Sequence, residues 1–386
     1  MAGALADLRV GRQSAGFIGR GHPWVRRDRF TRLPPGCAAG DPVTLVAEDG
    51  RGLAAALADP GSTVCARIHH REPGRRFDPA AAIAAAWRRR AALHADPTTD
   101  CYRVVHGEAD GLPGLIVDHL ADTLVVTYRC RAILAWQTAL TEALAQIAPG
   151  MTQLHRRHIT DIRRSGPELW RADGAPLASE RELVGHELGV ELLLRPEGGL
   201  ATGVYVDQRA TRAWLRERCG GARVLNLFAY TGLFSVSLLC AGAAAALDVD
   251  TARPALELAR RNADSNGVAP RHQTRRVDCR AFLERCEDQY DIVICDPPTA
   301  ATGGRGWVAH RDYPTLLRAI TARLVPGGLL VACCNTRGGR AFDLDRAIRR
   351  TPGLQCVPGP ELAADLPQLP GFPEGRPYRL IAAVAA

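Results

Sequence analysis

Arg223-Val224-Leu225-Asn226-Leu227-Phe228-Ala229-Tyr230-Thr231-Gly232 is the stretch that decides the fold. Its first half is mostly apolar and predicts a buried β-strand, and its second half is a short turn that ends at Gly232. An apolar helical pattern follows directly. A strand that turns sharply into a helix places backbone N–H groups at the edge of a sheet, where open α/β sheets bind nucleotide-like ligands. The stretch therefore predicts a nucleotide-type site.

Strand and helix patterns alternate from about residue 190 to the C-terminus, which predicts a parallel, doubly wound α/β sheet. Short β-runs separated by Gly, Pro and Asp occupy residues 1–75, and residues 76–190 mix helices, strands and hairpins. We therefore predict three domains, with boundaries at 1–75, 76–190 and 191–386. In the last domain the candidate strands are Arg223–Leu227, Ala245–Val249, Arg275–Val277, Asp291–Cys295, Gly328–Cys333 and, as a closing strand, Tyr378–Val384.

Composition excludes several classes of protein. The 386 residues are 46% hydrophobic, without an apolar run long enough to cross a membrane, so we expect a globular cytoplasmic protein. The 12 cysteines are scattered and include no Cys-x-x-Cys pair, so we expect neither a metal site nor a disulfide framework.

The charge pattern points to a polyanionic partner. The net charge is +8, and every basic residue other than histidine is arginine, because the chain contains no lysine. This excludes a P-loop lysine and a pyridoxal-phosphate Schiff base. Arginine pairs spread along a basic chain suit nucleic acid.

Polar residues stand at the ends of four predicted strands. The first strand ends at Asn226 and the turn. At the second, Asp250 could accept both hydroxyls of a ribose, and at the third Asp278 could accept from the amine of adenine. Asp296 lies where a reacting group would be. A lone strand-end aspartate is more often a helix N-cap, but three in register after such a turn favour a ligand site.

The kind of nucleotide follows from what the turn lacks. It has no Gly-x-Gly-x-x-Gly, so a dinucleotide dehydrogenase fits poorly. S-adenosylmethionine fits better, because it has an adenosine but no pyrophosphate.

These motifs resemble the class I S-adenosylmethionine-dependent methyltransferases. Residues 203–209 resemble the segment before the cofactor turn in large-subunit rRNA methyltransferases, and residues 21–25 resemble the start of a PUA domain, an RNA-binding module. Residues 102–114 resemble the central domain of the PUA-containing rRNA cytosine-C5 methyltransferases. The resemblance covers nearly the whole chain in the same domain order. It implies a Rossmann-like methyltransferase domain preceded by a small β-rich PUA-like domain and an α+β central domain.

The resemblance also implies ligands and residue roles. S-adenosyl-L-methionine would be the cofactor, and 23S rRNA or a large ribosomal subunit precursor the partner; a homodimer is compatible with it. The turn would hold the methionine part, Asp250 the ribose and Asp278 the adenine, while Asp296 and Pro298 would face the acceptor base. The implied cofactor-binding residues are Tyr205, Asp207, Gln208, Asn226, Phe228, Tyr230, Thr231, Gly232, Asp250, Asp278 and Asp296.

RNA contacts are expected in the N-terminal domain. Trp24 lies in a basic cluster with Arg26 and Arg27, where an aromatic ring could stack on a base while the arginines hold phosphates. The alternative is a core tryptophan beneath a solvated arginine surface. Arg337, near the acceptor site, could contact the edge of the base or a phosphate.

One departure from the cytosine-C5 pattern leaves the acceptor open. Cytosine C5 is not nucleophilic, so those enzymes need a thiolate that attacks C6. Counting from Gly327-Gly328, that position here is Asn335, with Cys333 just before Cys334. Cys334 could serve if a bulge shifted the register by one residue.

The same segment resembles another family as well. Residues 335–338, together with 296–299, look more like the rRNA guanine-N7 methyltransferases, which need no covalent catalyst. Guanine N7 and cytosine C5 therefore both remain. Two further alternatives are a catalytically inactive RNA-binding or ribosome assembly factor that keeps the fold, and a small-molecule methyltransferase.

Overall fold

The computed structural model describes residues 4–159, 168–198, 202–298, 307–335 and 342–386. Contacts divide the chain into two units. The first consists of Met1–Leu183, Leu194–Thr202 and Ala363–Gly375, and the second of Val184–Leu193, Gly203–Leu362 and Arg376–Ala386. The division into three domains stays a prediction.

The first unit begins with a five-stranded sheet in the spatial order β1-β3-β4-β5-β2. Apolar residues of its strands, such as Leu8, Leu45 and Ala56, are fully buried in one cluster. The elements are β1 (Ala6–Arg9), α1 (Arg12–Gly19), β2 (Trp24–Arg26), β3 (Pro42–Val46), β4 (Gly52–Ala58) and β5 (Val64–His70). The N-terminal region is therefore β-rich, as predicted.

A second five-stranded sheet follows in the same unit, in the order β10-β9-β8-β7-β6. Asp78 starts the first helix beside this sheet, because its side chain accepts a hydrogen bond from the N–H of Ala81 at 2.9 Å. The elements are α2 (Pro79–Arg89), α3 (Ala91–His94), β6 (Cys101–His106), β7 (Leu115–Leu120), β8 (Thr123–Tyr128), α4 (Arg131–Leu134), α5 (Gln137–Ile147), β9 (Thr152–Arg157) and β10 (Glu168–Arg171).

The second unit is built on a seven-stranded sheet in the order β15-β14-β13-β16-β17-β19-β18. The strands β13 to β17 are parallel, and β19 runs antiparallel between β17 and β18. A hairpin of β11 (Leu183–Glu187) and β12 (Val190–Leu194) precedes it. The sheet strands are β13 (Arg223–Leu227), β14 (Ala245–Asp250), β15 (His272–Arg276), β16 (Tyr290–Cys295), β17 (Leu324–Cys334), β18 (Leu354–Val357) and β19 (Arg379–Ala385).

Helices connect the parallel strands and complete the Rossmann-like fold expected from the alternating pattern. The buried apolar residues between them and the sheet, such as Leu225, Val293 and Leu317, form one core cluster. The helices are α6 (Arg209–Arg216), α7 (Leu233–Cys240), α8 (Arg253–Ser265), α9 (Cys279–Arg285), α10 (Ala309–Thr321) and α11 (Leu344–Arg349).

One strand lies elsewhere than predicted. The strand expected at Arg275–Val277 is β15, which begins at His272 and ends at Arg276. It is an edge strand with mostly exposed or half-exposed polar side chains, so it carries no apolar pattern to mark its start. Pairing with β14 defines it instead, since His272 lies opposite Ala246.

The strand order fixes where a ligand can bind. β13 lies between β14 and β16, and the chain continues from it to β14 on one side and later to β16 on the other. This is a topological switch point, where a crevice opens at the carboxyl ends of the strands.

Within the described ranges, no helix has the length and apolar character of a membrane span.

Candidate cofactor and acceptor site

The turn after β13 is tight and needs a glycine at its end. Gly232 has φ of +69°, and a Cβ there would meet the Asp248 carboxylate and lie 2.7 Å from the Cβ of Ala259. Phe228 and Tyr230 also have positive φ, of 59° and 52°. Such values are costly for non-glycine residues, so the surrounding contacts must hold the turn in place.

Asp248 is the buried anchor beneath the turn. It is fully buried and accepts hydrogen bonds from Asn226 Nδ2 at 2.9 Å and Ser235 Oγ at 2.5 Å. His272 Nε2 lies 2.7 Å from its other oxygen. Asn226, predicted to bind cofactor, is itself only 2% exposed. The structure therefore gives Asn226 a supporting place under the turn, and it adds Asp248, which the sequence motifs did not mark as a site residue.

The segment before α6, which contains Gly203 and Tyr205, contacts the turn through hydrogen bonds and ring packing. The N–H of Gly203 donates to the Tyr230 hydroxyl at 2.9 Å, and the Thr231 hydroxyl donates to the Gly203 carbonyl at 2.7 Å. The Tyr205 and Tyr230 rings lie 5.3 Å apart. Asn262 of α8 donates to the Thr231 carbonyl at 3.0 Å. Tyr205 therefore lies beside the turn, and its role in cofactor binding stays a prediction.

Asp250 is oriented by two backbone amides. Its Oδ2 accepts from the N–H of Tyr230 at 2.9 Å, and its Oδ1 accepts from the N–H of Ala252 at 2.8 Å. Each carboxylate oxygen can accept more than one hydrogen bond, so both retain capacity for a ribose hydroxyl. The position and the donors fit the adenosine of S-adenosylmethionine.

Asp278 caps a helix as well as standing at the strand end. Its Oδ1 accepts from the N–H of Arg280 at 2.9 Å, at the start of α9. The Arg280 guanidinium also donates to both carboxylate oxygens, at 3.0 and 2.9 Å. The hydrogen bond from the Arg280 side chain lowers the pKa of Asp278. The N-cap that the strand-end pattern disfavoured is therefore real, and the adenine contact stays a prediction.

The predicted acceptor side lies around Asp296, just after β16. Gln208 Nε2 donates to its Oδ2 at 3.2 Å, and Asn335 Nδ2 lies 3.5 Å from its Oδ1. Burial and the nearby charge of Asp207 raise the pKa of Asp296 to about 7. Pro298 is exposed two residues later. The structure thus brings Asp207, Gln208 and Asn335 around Asp296.

Residues of α6 and the preceding hairpin support this group. Arg212 is 2% exposed and pairs with Glu187 at 2.5 and 2.6 Å. Its guanidinium also donates to the Tyr205 carbonyl at 2.9 Å. The sequence does not predict the pair of Arg212 and Glu187, because the two residues are 25 positions apart and no local motif marks them.

Neither cysteine of β17 takes the place of Asn335. Cys333 is fully buried, with its Sγ 3.5 Å from Gln208 Nε2, and burial raises the pKa of its thiol well above the usual range. Cys334 is 3% exposed and belongs to the apolar core cluster. The pairing of β17 with β19 runs without a shift from Leu329 to Cys334. The bulge that would bring Cys334 to the acceptor position is absent from that pairing.

Trp24 packs inside the first unit. Its indole N–H donates to Glu108 at 2.6 Å, the Arg67 guanidinium lies 4.7 Å from the centre of its ring, and the Phe372 ring is 4.8 Å away. This arrangement agrees with the alternative that the sequence left open, a packed tryptophan among arginines.

Two of the predicted RNA contacts do reach the surface. Arg26 is exposed, with its guanidinium 3.7 Å from Glu374, and the exposed Arg27 donates to the Pro60 carbonyl at 3.2 Å. Arg337 lies outside the described residues.

Comparison with known proteins agrees with this architecture. Residues 102–377 match the model of a family described as S-adenosylmethionine-dependent methyltransferase, and residues 8–71 match a PUA-like domain. The chain belongs to this family of S-adenosylmethionine-dependent methyltransferases, with a PUA-like domain at its N-terminus. It is thus a transferase whose cofactor is S-adenosylmethionine.

The chain is also similar over most of its length to two named enzymes. The ribosomal RNA large subunit methyltransferase I of Cronobacter sakazakii is 31% identical over 372 residues, covering 92% of this chain and 93% of the relative. The enzyme of that name from Erwinia tasmaniensis is 30% identical over 370 residues, with coverage of 92% and 93%.

Solved structures share the fold. A methyltransferase crystallised with S-adenosylhomocysteine superposes with a TM-score of 0.86 at 20% identity, covering 99% of this chain and 100% of the other. An S-adenosylmethionine-dependent methyltransferase from Streptococcus mutans gives 0.83 at the same identity and coverage.

Proposed function

We propose that this enzyme methylates a base of 23S rRNA, alone or within a large ribosomal subunit precursor. Support comes from the relatives of nearly equal length that carry the name ribosomal RNA large subunit methyltransferase I. The PUA-like domain and the net charge of +8 suit an RNA substrate. The proposal includes action in the cytoplasm, where ribosomal RNA is modified in bacteria.

In this proposal, one group of residues at the sheet edge binds the cofactor and a second group binds the acceptor base. The cofactor supplies the methyl group when it is bound. The turn ending at Gly232 and the Asp250 carboxylate hold it, and Tyr205 covers the turn. Asp296, Gln208 and Asn335 orient the acceptor base beside it. Bringing the acceptor atom into line with the methyl group is the main task of such a site.

Guanine N7 is the acceptor that the geometry supports best. The single observation that carries this choice is the side chain in contact with Asp296 from the end of β17, which is the amide of Asn335, not a thiol. Guanine N7 has an available lone pair, so its methylation needs orientation but no covalent intermediate. A buried thiol of raised pKa such as Cys333 is a poor nucleophile.

Cytosine C5 is the second candidate, because one thiol does lie on the acceptor side. Cys333 Sγ is in hydrogen-bond range of the same Gln208 amide that contacts Asp296. For this chemistry the thiol would have to become exposed and lose its proton before it attacked C6 of the base.

The deciding experiment identifies the methylated nucleoside. Unmodified 23S rRNA and precursor subunits are incubated with labelled S-adenosylmethionine and the wild type, Cys333→Ala, Cys334→Ala or Asn335→Ala, and the RNA is digested to nucleosides. We expect 7-methylguanosine that survives both cysteine changes. A 5-methylcytidine product that is lost with Cys333→Ala would establish the second candidate. No labelled nucleoside from either substrate would favour an RNA-binding or assembly factor.

The domain roles are part of the proposal. Residues 1–75 would form the PUA-like RNA-binding domain, 76–190 the central domain and 191–386 the methyltransferase domain. Arg26 and Arg27 would contact phosphates, and Trp24 would hold their strand in place by packing. A homodimer is proposed on the basis of related enzymes, and sedimentation of the purified protein tests it.

A further inference from the structure

A chain of three buried polar side chains leads from the C-terminal region to the acceptor-side carboxylate. The Tyr378 hydroxyl lies 3.2 Å from Thr211 Oγ1, and the Thr211 hydroxyl donates to Gln208 Oε1 at 2.8 Å. Gln208 Nε2 then donates to Asp296 Oδ2 at 3.2 Å. Tyr378 is 6% exposed, Thr211 0% and Gln208 2%. None of these contacts is part of the cofactor turn.

The number of available hydrogens fixes the direction of this chain. A threonine hydroxyl has one hydrogen to donate, and here it goes to Gln208 Oε1. The Tyr378 hydroxyl must therefore donate to Thr211 Oγ1. With its oxygen occupied, the Gln208 amide presents its two N–H groups to Asp296 and to the Cys333 sulfur, which is 3.5 Å away.

The opposite direction would require a proton on Asp296. If Gln208 were turned over, its oxygen would face the Asp296 oxygen, and two acceptors would meet unless the carboxyl group donated. The Gln208 NH2 group would then donate to Thr211, and the Thr211 hydroxyl to Tyr378. The direction of the whole chain is thus coupled to the protonation of Asp296.

We propose that Tyr378 and Thr211 are positioning residues, which hold the Gln208 amide with its NH2 group toward Asp296 and thereby favour the ionised form of this carboxylate and orient it. The inference rests on the proposed function only in taking Asp296 as the acceptor-side group. A buried carboxyl group needs such donors, because desolvation favours its neutral form. Other titratable groups influencing Asp296 are Asp207, Arg212, Tyr205, Cys295 and Cys333.

The test measures the titration of Asp296 directly. Protein labelled with ¹³C at aspartate carboxyl groups is titrated by NMR without RNA, and Asp296→Asn assigns the signal. The midpoint in the wild type is expected near 7. Tyr378→Phe and Thr211→Val should each raise it by about one pH unit, because a donor that favours the charged form is weakened. Thr211→Ser, which keeps the hydroxyl, should restore the wild-type value.

The control is a buried tyrosine at the other end of the strand that precedes Asp296. Tyr290 is 4% exposed at the start of β16, and its hydroxyl lies 3.9 Å from the Cys286 sulfur. Tyr290→Phe should leave the Asp296 midpoint unchanged, whatever it does to stability. If Tyr378→Phe or Thr211→Val fails to fold, 3-fluorotyrosine at position 378 keeps the hydroxyl and strengthens it as a donor. It should lower the midpoint.

Activity separates this proposal from the proposed function. At pH 7, a midpoint raised by about one unit leaves Tyr378→Phe with about one fifth of the wild-type ionised fraction, and at pH 9 the two nearly coincide. The rate of methyl transfer to 23S rRNA by Tyr378→Phe, relative to the wild type, should match this ratio of ionised fractions at pH 7 and at pH 9. The expected NMR shifts in a protein that methylates no RNA would overturn the proposed function alone. An unchanged midpoint in folded Tyr378→Phe and Thr211→Val would overturn the positioning role, whatever the substrate.

Discussion

The two sides of the site hold their carboxylates in different ways. On the proposed adenosine side, Asp250 is fixed by two backbone amides, and Asp278 by a helix N-terminus and the Arg280 guanidinium. On the proposed acceptor side, Asp296 is held by the side-chain amides of Gln208 and Asn335. All three stand at the carboxyl ends of parallel strands of one sheet, β14, β15 and β16. The groups that donate hydrogen bonds to them therefore make the difference.

The difference shows how one sheet edge can serve two tasks. Hydrogen bonding to Arg280 lowers the pKa of Asp278, whereas burial and Asp207 raise that of Asp296 to about 7. Asp278, on the proposed adenosine side, is thus ionised at neutral pH. Asp296 titrates near the working pH, where a group can exchange a proton or change its hydrogen bonds with a base.

The largest effect is expected from Asp296→Ala. Loss of the acceptor-side carboxylate should lower kcat for methyl transfer by about 10²-fold or more, because the base is no longer held in line with the methyl group. Affinity for S-adenosylhomocysteine, measured by calorimetry, should stay within about threefold of the wild type. An affinity loss as large as the rate loss would place Asp296 on the cofactor side and erase the contrast.

Asp250→Ala should give the opposite pattern. A carboxylate that accepts from ribose hydroxyls contributes about 1.5–3 kcal/mol, so affinity for S-adenosylhomocysteine should weaken by about 10- to 100-fold. At saturating cofactor, kcat should fall much less than in Asp296→Ala. Asp250→Asn, which keeps one acceptor oxygen, should be intermediate. Unchanged affinity in Asp250→Ala would show that the ribose lies elsewhere.

The sequence patterns were sufficient to predict which aspartates lie at the carboxyl edge of the sheet. Apolar runs such as Ala245–Val249 end in aspartate, and parallel strands bring their ends together, so Asp250, Asp278 and Asp296 could be placed at one edge from the sequence alone. Gly232 was marked only as the end of the turn; its contacts with Asp248 and Ala259 are known from the structure. The positions of the strand ends and of the turn thus follow from the local apolar periodicity and from the residue types of the turn.

The partners of these residues could not be predicted in the same way. Thr211 and Tyr378 are 167 positions apart, so no local pattern relates them. The sequence pattern allows Asp278 either to cap α9 or to bind a ligand, and one carboxylate can do both. Trp24 was ambiguous because its neighbours Phe372 and Glu108 come from distant segments.

The pH dependence of the reaction follows from Asp296. The ionised carboxylate is taken as the active form, so the rate should be half-maximal near pH 7 and fall about tenfold for each pH unit well below that. Cofactor affinity should stay flat between pH 6 and about 8, because the pKa of Asp278 is already low. A rate profile that is equally flat, or an affinity that follows the rate, would contradict the contrast between the two sides.

The smallest effect concerns the stability of the adenosine side. Asp278→Ala removes the N-cap of α9 and should lower the free energy of unfolding at pH 7 by about 1 kcal/mol, measured by urea denaturation. Asp278→Asn should lose less than half of that, since asparagine caps equally well and the half-exposed pair with Arg280 adds little. Because the folded-state pKa of Asp278 is lowered from its usual 3.8, the contribution of its charge is present above about pH 4 and is lost as the pH falls through the folded value. The gap between wild type and Asp278→Asn should therefore close in acid, while the gap between Asp278→Asn and Asp278→Ala persists. Equal stability of the alanine and asparagine variants at pH 7 would mean that the cap contributes nothing, leaving the ion pair and the ligand as the reasons for a carboxylate at this strand end.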